Sequence, residues 1–158
     1  MRWTWDEYVR LAAWLRPDAA ASLHEQARVR SAISRAYYTA FHAAKRHAVT
    51  KFKIIINPKR GRPHALGLSE RIGHEDLWGH FFDRGRDKDE NLVGVLGQGM
   101  MKDRHDADYH DIEGDMLKLE DGIRHRALAV CAILKQPVSG MPDITPEQIE
   151  DLRKLYVG

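Results

Sequence analysis

From about Leu23 to Val49 the chain holds neither glycine nor proline and is rich in alanine, the residue that favours a helix most. Val29, Ile33, Ala36, Tyr37, Ala40 and Ala44 recur at steps of mostly three and four. At ~100° per residue they share one face, which predicts a long amphipathic helix. A second stripe follows much later: Ile112, Met116, Leu119, Ile123, Ala127, Val130 and Leu134. It runs ~35 Å at about 1.5 Å per residue. A stripe that long needs an equally long partner, and only the Leu23–Val49 segment offers one. The expected core is therefore this pair of helices, about 23–49 and 111–135.

Shorter elements fill the rest. Thr4 suits the cap of a helix over "WDEYVRLAAWL", which Pro17 closes. "HALGLSERI" and "HEDLWGHFFDR" read as short helices, and "DENLVGVLGQGMM" as a helix expected to weaken at Gly97 and Gly99. Those glycines follow no strand and have the wrong spacing for a dinucleotide fingerprint. Thr145 and Pro146 suit the cap and first position of a last helix. Between the long helices, "KFKIIINPKRGRP" reads as a loop, about 51–63, with Lys51, Lys53, Lys59, Arg60 and Arg62 and no acid. The fold class expected is all-α, an up-and-down bundle of four to five helices in one domain.

Composition narrows the function classes. With 43% hydrophobic and 30% charged residues the chain reads as a globular protein. A net charge of +2, with nine histidines outside that count, does not by itself mark a nucleic-acid binder. Cys131, the one cysteine, lies in the apolar run "ALAVCAIL" and reads as a buried thiol. The start "MRWTWDEYVR" is too acidic and aromatic for a signal peptide, and no apolar run reaches the ~18 residues a membrane span needs. A cytoplasmic location, without membrane, is the expectation.

Chemistry concentrates in "MMKDRHDADYHD", Met100 to Asp111. Three readings are open for it. His105, Asp106, Asp108, His110 and Asp111 supply metal-binding atoms, but His105 and His110 are five apart, and the spacing of a zinc protease helix is absent. Arg104 and His110 suit metal-independent RNA cleavage. The imidazole moves a proton near neutrality, and the guanidinium fork meets phosphate oxygens. On one unbroken helix these two would stand about 120° apart, so they converge only through a turn or through two subunits. The third reading is structural: Arg104 pairs with Asp108, Tyr109 fills the core, and His110 with Asp111 begins the next helix, where Asp111 and Glu113 suit the N-terminus. On the first long helix, Ser31, Arg35, Tyr38 and His42 form a polar face, either solvated or facing a phosphate or a partner subunit.

Two stretches together resemble the HEPN superfamily of small helical proteins. These are "RSAISRAYYTAFHAAK", Arg30 to Lys45, and "KDRHDADYH" some sixty residues on, with Arg104 followed by the Ala107-Asp108-Tyr109 signature. The resemblance implies a dimeric helical bundle spanning 1–158. In many members an arginine, four to six residues and a histidine form the motif of a metal-independent ribonuclease, one motif per subunit lining a shared cleft. Arg104 and His110, with five residues between, match it; the position after the arginine, often asparagine, is here His105. Relatives carrying the Ala-Asp-Tyr signature commonly have aspartate at the place of His110, and several of these have no shown catalysis. Where members are regulated by nucleotide addition, a tyrosine stands two residues after the histidine; here it is Ile112.

The expected function is thus a HEPN-type endoribonuclease, a toxin or defence effector acting as a homodimer. Arg104 and His110 are the expected catalytic pair, with His105, Asp108 and Tyr109 in support. Lys102, Arg35, Lys59, Arg60 and Arg62 are the expected RNA contacts. No metal and no cofactor is expected. RNA is the expected ligand, and a nucleotidyltransferase-type antitoxin is a candidate partner. The alternative is a non-catalytic HEPN module that binds RNA, nucleotide or a partner protein.

Overall fold

The computed structural model describes residues 9, 12, 23–52, 73–84, 87–109, 115–136 and 138–157. Among them are five helices and no strand: α1 (Leu23–Lys51), α2 (His74–Arg84), α3 (Lys88–Tyr109), α4 (Met116–Ile133) and α5 (Pro146–Tyr156). The chain is an all-α helical bundle. Of the earliest expected helix, only Val9 and Ala12 are described, both helical and buried. The stretch "HALGLSERI" and the basic loop beyond Phe52 lie outside the described residues, so Lys59, Arg60 and Arg62 do too.

α1 and α4 make the most extensive helix pair. All six apolar residues read from the α1 stripe are buried, and so are Ile123, Ala127, Val130 and Leu134 of the other stripe. Cys131 is buried among them. α4 begins later than the stripe suggests. Its N-cap is Asp115, whose carboxylate accepts from the Leu117 and Lys118 amides. This cap satisfies donors that the first turn leaves unmet, so Met116 opens the helix. Asp111 and Glu113 therefore precede α4, outside the described residues. α5 starts as its sequence suggests, with Thr145 and Gln148 in a reciprocal capping box and Pro146 in the first turn.

α3 does not weaken at its glycines. It runs unbroken through Gly94, Gly97 and Gly99 to Tyr109. A Cβ on Gly97 would lie 2.2–2.5 Å from ring atoms of Trp78, and one on Gly94 would lie 3.2–3.4 Å from atoms of Phe81 and Phe82. The missing side chains thus form a groove that seats the aromatic face of α2. Packing of the fully buried Trp78 and Phe81, each worth roughly 1.5–3 kcal/mol or more of burial, outweighs the roughly 1 kcal/mol that each glycine costs a helix.

Cross-helix contacts fix the directions. Lys51 and His47 of α1 meet the buried Glu90 near the start of α3, at 2.6 and 3.3 Å. Tyr38 meets Arg104, and Ser34 meets Asp108, near its end. As α1 advances, its partners on α3 recede, so the two helices are antiparallel. α2 is antiparallel to α3 as well, since Phe81 faces Gly94 and Trp78 faces Gly97. The start of α2 and the end of α3 consequently meet beside the middle of α1.

Candidate functional site

That meeting point is a pocket of about 510 Å³, lined by Gly73, His74, Glu75, Asp76, Met101, Lys102, Arg104 and His105. The sequence reading had picked out three of these, Lys102, Arg104 and His105. His74, which opens α2, was missed.

Arg104 is the most constrained of them. Its Nη1 donates to the Tyr38 hydroxyl at 3.2 Å, and its guanidinium carbon lies 5.2 Å from the ring centroid of Tyr37 and 5.7 Å from that of Tyr38. These are cation–π distances, to which a planar guanidinium is suited. Asp108, one turn on, is 3.9 Å from Nη1. Its carboxylate accepts from the Ser34 hydroxyl at 3.2 Å. Arg104 Nε is buried and has no hydrogen-bond partner among the described residues. One buried N–H of a permanent cation thus stays unsatisfied, a cost the surrounding contacts of Arg104 offset.

Behind Arg104 stands a polar relay within an aromatic cluster. Trp78 Nε1 donates to the Tyr37 hydroxyl at 3.2 Å, and that hydroxyl lies 2.6 Å from His74 Nδ1. The His74 ring is 4.3 Å, centroid to centroid, from Phe41. Burial pushes the Tyr37 phenol up to about 12, so it stays protonated. Burial, and then the charge of Arg104, hold His74 below the ordinary histidine range. His42 stacks on Tyr38 and is pushed down to about 4 by burial, then by Lys45, His74 and Arg46. Both imidazoles are therefore neutral at pH 7.

A pH effect on stability follows. An unfolded histidine takes up a proton near its ordinary pKa of 6.5, whereas folded His42 resists until about 4. Across that window the unfolded chain binds more protons, so stability is full above the unfolded pKa and declines as pH falls below it. The urea midpoint should drop as pH falls from about 7 to about 4, and His42→Gln should flatten that drop. An equally steep decline in the variant would assign the effect to other groups.

The other sequence-derived residues divide. Asp108 belongs to the Arg104 cluster. Tyr109 does not fill the core: it is 70% exposed and its ring lies 4.8 Å from that of His105. The α1 face bearing Tyr38 and His42 is not simply solvated, because α3 packs on it through Arg104 and Asp108. Arg35 is half-buried and does not line the pocket; Ser31 is exposed. No turn separates Arg104 from Tyr109, which lie on one helix. His110, the next residue, lies outside the described residues. The metal reading needs His110 and Asp111 as well; among the described residues no group of three His, Cys, Asp or Glu side chains is placed to hold a metal. Nor is any helix among them long and apolar enough to cross a membrane.

A signal for His74 was present but faint. A histidine following glycine at a helix start reads as ordinary, and only the return of α2 beside Arg104 gives it neighbours of interest. No family model matches the chain, and no curated protein or solved structure is detectably similar to it.

Proposed function

We propose that the chain is a metal-independent endoribonuclease of HEPN type, working as a homodimer, with Arg104 and His110 as its catalytic pair. One observation carries the reading: Arg104 is gripped by Tyr37, Tyr38 and Asp108 at a pocket, with a buried Nε left unpaired among the described residues. A cation held this firmly is pre-organised to meet charge that develops during reaction. His110 follows the last residue of α3. In the reaction it takes the ribose 2′-hydroxyl proton, or gives one to the leaving 5′-oxygen. The 2′-oxygen attacks phosphorus as the P–O5′ bond breaks, and Arg104 offsets the negative charge of the phosphorane.

Since α3 runs unbroken through Tyr109, the turn needed for convergence within one subunit would have to come at His110 itself. A cleft shared by two copies meets the same need by pairing motifs across the dimer. Asp108 and His105 support Arg104, and Lys102 lies at the pocket for backbone contact. A role as toxin or defence effector, restrained by a nucleotidyltransferase-type partner, is consistent with this activity. The deciding test is RNA cleavage in EDTA, with the ends of the products identified.

The second reading is a non-catalytic module that binds RNA, nucleotide or a protein through the same pocket. It is favoured by the acids Glu75 and Asp76 in the pocket lining, which add binding groups without serving the cleavage chemistry. It predicts binding without turnover.

A further inference from the structure

We propose that His74 is a third functional side chain of this site, a neutral imidazole locked with its proton on Nε2, which donates to a phosphate oxygen of a ribonucleotide held by Arg104. The ligand class rests on the ribonuclease reading above; the lock on His74 does not.

The lock follows from what each atom can do. Trp78 Nε1 is a donor only, so at 3.2 Å the Tyr37 oxygen accepts from it. The phenol proton then points to His74 Nδ1, 2.6 Å away, which must be an unprotonated acceptor. A neutral imidazole with Nδ1 bare carries its hydrogen on Nε2. The opposite arrangement has Nδ1–H donating to Tyr37. It would leave the phenol proton with no acceptor among the described residues, deep in the core where Tyr37 is 0% exposed. That is costly for a buried donor. A charged His74 would force the same arrangement beside the guanidinium of Arg104.

His74 is therefore a fixed donor rather than a switch. Its Nε2 makes no hydrogen bond among the described residues, and the residue lines the same pocket as Arg104 and Lys102. Two cations and a neutral N–H suit a phosphate group. Glu75 and Asp76, which follow His74 in the first turn of α2, line the pocket as well. Their carboxylates balance the two cations and accept from hydroxyls, which favours a phosphate that carries a sugar over a bare phosphate ion. A volume of about 510 Å³ falls within the ordinary range for small-ligand sites.

The test uses the wild-type chain, labelled with nitrogen-15 at histidine, and uridine 3′-monophosphate as probe. At pH 7 the His74 signals, identified by their loss in His74→Phe, should show the neutral Nε2–H form, and the probe should shift them. Titration should give about tenfold weaker binding in His74→Phe, the loss expected for one hydrogen bond to a charged partner. Tyr37→Phe should release the lock and show a mixture of both neutral forms. An Nδ1–H or charged imidazole in the wild type, or signals the probe leaves unmoved, overturns the proposal. Cleavage of RNA by a wild type whose His74 ignores the probe sinks this inference alone. A His74 that responds in a chain that never cuts RNA sinks the ribonuclease reading and keeps the binding site.

Discussion

RNA incubated with the wild-type chain in EDTA should be cut, the new ends carrying 2′,3′-cyclic phosphate, while His110→Ala leaves the same RNA intact. Removing a general acid or base lowers rates by about 10²–10⁴-fold, so residual cutting should fall below detection in an ordinary gel assay. Arg104→Lys keeps the charge but loses the planar fork that meets the Tyr38 hydroxyl and lies against both tyrosine rings. It should reduce cleavage by about 10²-fold or more, as when one pre-organised donor to a reacting oxyanion is removed. Circular dichroism should show unchanged helix content in His110→Ala. Full activity in that variant would remove His110 from the chemistry. Cleavage that stops on adding EDTA would transfer the chemistry to a metal.

Gly97→Ala should destabilise the bundle, against the usual effect of that change in a helix. Alanine in place of a helical glycine favours the helix by roughly 1 kcal/mol. Here the new methyl would fall 2.2 Å from Trp78 Cε3, in a ring that is 0% exposed. A buried indole has nowhere to withdraw, and overpacking costs about 1–3 kcal/mol, at times more. With so short an approach the upper end applies, leaving a net loss of about 2 kcal/mol. Gly79→Ala on α2 is the matched control. Nothing lies within 4 Å of its would-be Cβ, so it should stabilise by up to about 1 kcal/mol. Urea unfolding of both variants gives the signs directly. A stabilised Gly97→Ala would mean that α2 and α3 are not packed through this groove.

The long helices were legible because periodicity carries their burial. Val29 through Ala44 and Ile123 through Leu134 face the core as their spacing demands. The cap at Thr145 was legible because it is local, whereas the reciprocal bond with Gln148 comes from the structure. What was not legible depends on distant chain segments. Gly97 reads as a weak point until Trp78 is seen to occupy the space beside it. Tyr38 reads as a solvent-facing residue until α3 arrives with Arg104. Arg104 itself was found from its motif. Its setting against Tyr37 and Tyr38, and the neighbouring His74, come from the antiparallel return of two other helices, which no spacing within the motif encodes.

Arg30, Ser34 and Tyr38 stand four residues apart on α1 and reach, in turn, the Ala107 carbonyl, the Asp108 carboxylate and Arg104. The closing turns of a helix ordinarily fray, and their amide hydrogens exchange readily with solvent. Those of α3 are stitched to a neighbour at three successive levels. Amides from about Arg104 to Asp108 should exchange through opening of the α1–α3 pair rather than by local unwinding. The arginine then keeps its address in the empty protein, and an incoming ligand spends little on ordering it.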